Sequence, residues 1–184
     1  KIPDVVYVKS EKELSEIKLE GDVVLHAKSA GKHGKNPTVL LISDEQTCYA
    51  VDLRKFSDIK HRISDIPAVT GYDLKNSFKV LLELSVEKLP HVSHDCLLGA
   101  FIVDALRRDL SLTELASTDL GYETELDNLD DDELLTKAGE IVAVIRALST
   151  MQGEQMSEVT SLIKMSEQVD WPVIPVLARM ERAG

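Results

Sequence analysis

Asp22-Val23-Val24-Leu25-His26-Ala27-Lys28 is the stretch on which the reading turns. Val23-Val24-Leu25 is a short apolar run that predicts a buried strand, with His26 at its end. The run is followed by Gly31-Lys32-His33-Gly34-Lys35-Asn36-Pro37, a loop dense in breakers. Beyond it, Thr38 to Ser43 and Thr47 to Leu53 predict two antiparallel strands, joined by Asp44-Glu45-Gln46 as a hairpin. Upstream, Val5 to Val8 is a further strand. Ser10-Glu11-Lys12-Glu13 then has the spacing of a capping box and opens a short helix to about Ile17.

The second half turns helical. Ala68 to Gly71 is a short strand and turn. Leu74, Phe78, Leu81 and Leu82 fall at helical spacing, as do Leu97, Leu98, Phe101, Ile102, Ala105 and Leu106. Ser111-Leu112-Thr113-Glu114 is a second capping box, for a helix ending near Gly121. Glu123 to Glu133 is acidic and reads as a solvated loop and helix start, where carboxylates suit the helix dipole. Helices follow at 134–151 and 156–169, and the prolines of Trp171-Pro172-Val173-Ile174-Pro175 mark a helix break or a fresh start. Strands first and helices after predict an α/β fold with a mixed sheet.

The chain has 184 residues, 43% hydrophobic and 29% charged, with a net charge of −11. That is enough apolar material for one core. So negative a chain is a poor independent nucleic-acid binder, because phosphate binding needs clustered Lys and Arg. Local basic groups exist at Lys55, Lys60, His61 and Arg62, at Arg107-Arg108, and at Arg179 with Arg182; the plain reading is solvated faces. Gly31 to Lys35 lacks the spacing of a phosphate-binding P-loop. Cys48 and Cys96 show no metal-ligand spacing and read as buried free thiols in a reducing compartment. No run of about 18 apolar residues suggests a membrane span. Starting at Lys1, the chain is expected to be a domain from a longer protein, cytoplasmic and monomeric.

Five segments, in order, resemble the 3′–5′ proofreading exonuclease domain of bacterial family A DNA polymerases, the DNA polymerase I family. Tyr7-Val8 with Ser10-Glu11-Lys12-Glu13-Leu14 resembles its opening strand and helix. Gly71-Tyr72-Asp73-Leu74-Lys75 resembles its second motif, Gly-x-Asn-Leu-Lys-x-Asp. His94-Asp95-Cys96-Leu97-Leu98-Gly99-Ala100-Phe101 is similar to its Phe-Asp-Thr-Met-Leu-Ala-x-Tyr stretch. Leu112-Thr113-Glu114-Leu115-Ala116 with Leu120-Gly121-Tyr122 resembles Leu-x-x-Leu-Ala…Leu-Gly-Tyr. Pro172 to Glu181 resembles Pro-Leu-x-Pro-Val-Leu-Ala-x-Met-Glu, the segment that leads into the polymerase domain. The resemblance implies a ribonuclease H-like (DnaQ-like) exonuclease fold, a mixed central sheet flanked by helices. It also implies an exonuclease-like domain over 1–170, with 171–184 starting the connection to a polymerase domain.

That family's chemistry uses two Mg²⁺ ions about 4 Å apart, which clamp the attacking and leaving oxygens. Four carboxylates and a tyrosine usually form the site. Carried across position by position, His26 stands for the Asp and Lys28 for the Glu of the first motif. Ser77 stands for the Asp of the second, and Leu135 and Gly139 for the Tyr and Asp of the third. A lysine repels a cation that a glutamate would hold. The expectation is a catalytically inactive domain with no cofactor, which spaces or braces a polymerase domain in DNA replication and repair and makes at most weak DNA contact. Two alternatives stand beside it. One is a rearranged Mg²⁺-dependent nuclease built on His26, Asp73 and Asp95, with His94 and the acidic stretch Asp127 to Glu133 nearby. The other is a protein-interaction module. The plain reading of the three candidates is that His26 ends a buried strand while Asp73 and Asp95 cap helices. Trp171 reads as a core anchor, partly exposed when this domain stands alone.

Overall fold

The computed structural model describes residues 1–159 and 161–184 in full. Six strands form one mixed sheet in the order β1-β4-β3-β2-β5-β6. They are β1 (Asp4–Tyr7), β2 (Val23–Ser29), β3 (Pro37–Ser43), β4 (Thr47–Asp52), β5 (Ala68–Gly71) and β6 (His91–Asp95). The meander β2-β3-β4 is antiparallel, whereas β1 joins β4, β5 joins β2, and β6 joins β5 in parallel. The helices are α1 (Glu11–Ser15), α2 (Lys60–Ile63), α3 (Leu74–Glu83), α4 (Cys96–Val103) and α5 (Leu112–Leu120). They continue with α6 (Asp131–Thr136), α7 (Ala138–Ser157), α8 (Thr160–Met165) and α9 (Trp171–Ala183).

The sheet is buried on both faces. Val23, Leu25, Leu40 and Ile42 point into a core shared with α3 and α9, where Phe78, Leu81, Trp171 and Ile174 meet them. Val24, Val39 and Leu41 point the other way, onto α5 and α7 through Leu115, Ile141 and Ile145. Successive residues alternate between the two cores because a strand's side chains have a period of two.

Local signals set most element ends. Ser10 Oγ accepts the Glu13 amide at 3.1 Å and Ser111 Oγ accepts the Glu114 amide at 3.2 Å, so both helices start where their caps stand. The Glu13 carboxylate reaches back one residue further than a capping box requires, to the Lys9 amide at 2.7 Å. Asp44 Oδ1 accepts the amides of Gln46 and Thr47 and closes the β3–β4 hairpin. Gly34 has φ +81, and a Cβ there would collide with the Lys79 backbone, so the β2–β3 turn lies directly on α3.

Several elements differ from the sequence reading. β6 was not foreseen; His91-Val92-Ser93-His94-Asp95 is mostly polar and is a strand because it pairs with β5. α4 ends at Val103, and Leu106, expected on its buried stripe, is 90% exposed. The expected helix over 156–169 is divided, because α7 runs to Ser157, α8 follows, and a π-helical turn at Ser166–Asp170 leads into α9. That turn delivers Pro172 to the first turn of α9, where its missing N–H costs nothing. Trp171 is buried rather than partly exposed, its ring tilted against His94 with centroids 5.0 Å apart. Cys48 and Cys96 are buried and free.

Asp95 holds three elements together. Its carboxylate accepts the Leu74 amide at 2.9 Å and the Leu98 amide at 3.0 Å, and so caps both α3 and α4 from the end of β6. Burial, with Asp73 nearby, raises its pKa to about 6 against the opposing pull of the two amides. Replacing Asp95 by Ala removes two caps at about 1 kcal/mol each, so urea unfolding should show a loss of about 2 kcal/mol. The folded pKa lies above the unfolded one, so the native state binds the extra proton and the stability contributed by this group falls as pH rises through about 6. The gap between wild type and Asp95→Ala should therefore widen as pH falls from 6 towards 4. Gly34→Ala should cost at least about 1 kcal/mol in the same assay, since it meets both a positive φ and a backbone collision.

Candidate functional site

β5 pairs with β2 only at Val23 and Val24, so the end of β2 projects past its parallel neighbour into a cleft. Ala27 lies beyond that pairing, and its amide donates to Ser77 Oγ on α3 at 3.1 Å. Ser77 thus serves the backbone of the strand that a catalytic carboxylate in its place would face. On one side of Lys28 a cleft of about 500 Å³ is lined by Ser29, Gly31, Lys32, His33, Asp73, Asn76 and Lys79. On the other side a hollow of about 350 Å³ is lined by His26, Asp127, Asn128, Leu129 and Leu134.

Lys28 is not free within this cleft. Its Nζ lies 2.8 Å from Asp131 Oδ1, at the first turn of α6. Arg54 completes the cluster: Nη1 is 3.4 Å from Asp131 Oδ2 and Nη2 is 3.3 Å from Asp132 Oδ1. The same guanidinium grips both oxygens of Asp52 at 2.9 and 3.0 Å. Partial burial pushes the Asp131 carboxyl up, but the ammonium of Lys28 and then Arg54 hold it below the usual carboxylate range. Two cations are therefore shared among a trio of aspartates beside the cleft.

The ring of His26 is half-buried, and its Nδ1 is sealed from solvent without a hydrogen-bond partner. Burial lowers its pKa, while Asp73 and Asp127 pull the other way. Asp73 has φ 55 and stands at the N-cap position of α3, but its side chain bonds Asn76 Nδ2 at 2.5 Å and not the helix amides. The capping expected of it belongs to Asp95. Asp95 itself caps α4 as the sequence reading has it. His94 accompanies neither; its Nε2 meets Gln152 Oε1 at 2.7 Å, and Gln152 in turn donates to the Cys96 carbonyl at 3.0 Å. Gly139 lies away from the cleft, where a Cβ would press on Ile2 and Val5. Leu135 packs against the α5–α7 core.

The carboxylates of Asp127 to Glu133 are engaged in helix caps and ion pairs. Asp127 accepts the amides of Leu112 and Thr113 at 3.2 and 2.8 Å and caps α5, while Asp130 and Glu133 form the capping box of α6. Among the described residues no group of three His, Cys, Asp or Glu side chains is placed to hold a metal ion. The cluster of Arg54, Asp52 and Asp131 was missed in the sequence. Its members are separated by up to 79 residues, and the only hint was the charge reversal at Lys28. Of the other basic groups, Lys32, His33 and Lys79 line the cleft with Lys28, whereas Arg107 pairs with Asp119 and Arg182 with Glu83.

No family model matches the chain, and no curated protein matches it by sequence. Solved structures do. Brucella melitensis NrnC superposes with a TM-score of 0.76 at 12% identity, covering 98% of this chain and 95% of NrnC. NrnC is also known with bound Mg²⁺. Escherichia coli RNase D, described as an exoribonuclease involved in structured RNA processing, gives 0.65 at 11% identity over 98% of this chain and 50% of its own. The Pol1 of M. smegmatis, in complex with DNA primer-template and dNTP, gives 0.70 at 20% identity over 88% of this chain and 28% of its own. At such identities the likeness is one of fold, and the chain has the mixed-sheet, ribonuclease H-like architecture of the DnaQ-like exonucleases.

Proposed function

We propose that this chain is a nuclease-fold domain that does not hydrolyse nucleic acid, and that it works as a spacing and bracing domain within a DNA polymerase I-like protein. The observation that carries the reading is the Lys28–Asp131 ion pair at the end of β2. A two-metal phosphodiesterase needs anionic oxygens converging where the ions sit. Here a fixed ammonium stands at that strand end, with the nearest aspartates already paired to it and to Arg54. Ser77 and His26, at the other motif positions, offer a hydroxyl bound to backbone and a neutral-leaning ring. The polymerase context is supported by the ordered sequence resemblance, Pro172 to Glu181 above all, and by the likeness to Pol1. A rearranged metal site on His26, Asp73 and Asp95 is weaker, because Asp95 would have to give up two helix caps to ligate an ion.

Incubated at high concentration with end-labelled single-stranded DNA or RNA and Mg²⁺ or Mn²⁺, the pure chain should leave the 3′ end intact. Metal-dependent shortening that disappears in Asp73→Ala would overturn the proposal. The thermal midpoint should also be unmoved by ~10 mM Mg²⁺, since only a ligand that binds the native state raises it. Lys28→Glu sets two carboxylates face to face. It should lower the midpoint by about 2–4 °C, and Mg²⁺ should then restore part of that loss, read by calorimetry with and without the ion.

A further inference from the structure

The cleft beside Lys28 carries the opposite charge to a metal site. Three ammonium groups line it, those of Lys28, Lys32 and Lys79, with the imidazole of His33, against one carboxylate, Asp73. Asp73 is itself bonded by Asn76 Nδ2 at 2.5 Å. In a chain of net charge −11 this is a cationic hollow in an anionic protein. The Lys79 side chain is only 8% exposed and pairs with Glu181, as Lys28 pairs with Asp131. Each pairing occupies part of an ammonium's three donors and leaves the rest for another acceptor. Among the described residues Lys32 forms no ion pair, and its charge is uncompensated. The cationic groups are also fixed relative to one another. Gly34 lies against the Lys79 backbone, which ties the turn bearing Lys32 and His33 to the helix bearing Lys79. His33 has φ 58, a left-handed conformation that a residue with a Cβ adopts only at a cost. The turn accepts that strain at the position that sets an imidazole on the cleft wall.

We propose that this cleft binds a phosphate monoester without any metal ion, its ammonium groups supplying the charge that divalent ions supply in a two-metal site. The inference rests on the reading that the cleft holds no metal. A volume of about 500 Å³ suits a small phosphorylated molecule. Among the described residues the lining holds no Phe, Tyr or Trp on which a base could stack, so recognition falls on the phosphate and not on the base. A monoester carries about two negative charges at neutral pH, and a backbone diester only one, so several ammonium groups favour the monoester. A long strand would also bring its other phosphates against the negative body of the protein. A free phosphate ester and the phosphorylated end of a short strand share this chemistry.

Calorimetric titration of the pure chain in EDTA with inorganic phosphate, and with ribose 5-phosphate, should show binding at roughly 0.1–1 mM, unchanged when ~2 mM Mg²⁺ replaces the chelator. Lys32→Ala should weaken it about ten-fold, and Lys32→Glu should abolish it, with unaltered circular dichroism. Lys60→Ala, on α2 and outside the lining, should leave it unchanged. Failure to bind in EDTA and in Mg²⁺ alike overturns the site and leaves the reading of an inactive domain standing. Binding that appears only with Mg²⁺ overturns both, since a metal then sits in the cleft. Binding that ignores both Lys32 substitutions overturns the proposal too, because the anion then lies elsewhere. A short single strand with a phosphorylated 3′ end that binds more tightly than ribose 5-phosphate supports the site with a strand end as its ligand, and one that binds no more tightly supports it with a free ester. The same strand ending in a hydroxyl and binding equally well overturns it in favour of the phosphodiester backbone.

Discussion

β2 is covered on both faces, and this constraint organises the molecule. While a helical layer lies on each side, the strand can carry only apolar residues, and Val23, Val24 and Leu25 are all at most 4% exposed. Polar side chains can appear only where β5 stops pairing and the layers part, which is at His26 and Lys28. The same geometry that buries the strand therefore presents its last residues to a cleft. What those residues are decides whether the cleft collects cations or supplies one.

A carboxylate pair in that place would be mutually repulsive until a metal arrived. Lys28 removes that dependence. Its ammonium, with Arg54, satisfies Asp131, Asp132 and Asp52, and in doing so ties α6 and the β4 end to the lip of the cleft. The cluster is half-exposed, so its contribution to stability is modest and screened. Its chemical effect is larger than its energy, because an aspartate already bonded to two cations has no free oxygen field to offer a divalent ion.

How much of this was legible in the sequence follows the range of the interactions. The β3–β4 hairpin, the caps at Ser10 and Ser111, and Asp95 as the cap of α4 rest on partners within a few residues, and they could be read off directly. β6 could not, since its polar sequence is a strand only by pairing with β5. Asp73 was expected to cap α3 because it precedes the helix. Its backbone instead adopts a left-handed conformation, and the capping oxygen comes from Asp95, 21 residues away. Lys28 was conspicuous as a charge reversal, but Asp131 lies 103 residues on and reads locally as one more helix-start carboxylate. The resemblance in sequence located the strand end, and the three-dimensional pairing explained what the substitution does there.

α9 shows the same logic from the outside. Glu181 and Arg182 fasten it to α3, so the helix is held in a fixed position by ionic contacts along one flank and by Trp171, Ile174 and Ala178 beneath. Solvent would normally require polar residues on the remaining face, and the sequence supplies none. A surface of that kind is stable in water only at the expense of the hydrophobic effect, about 25 cal/mol for each Å² left bare. A mobile helix could fold such a stripe inward, but this one cannot rotate without breaking the pairs at Glu181 and Arg182. The ionic fastening that positions α9 is therefore also what keeps its apolar face outward, and a rigid apolar ridge beside the hollow at Phe101 is better suited to packing against another folded surface than to facing solvent.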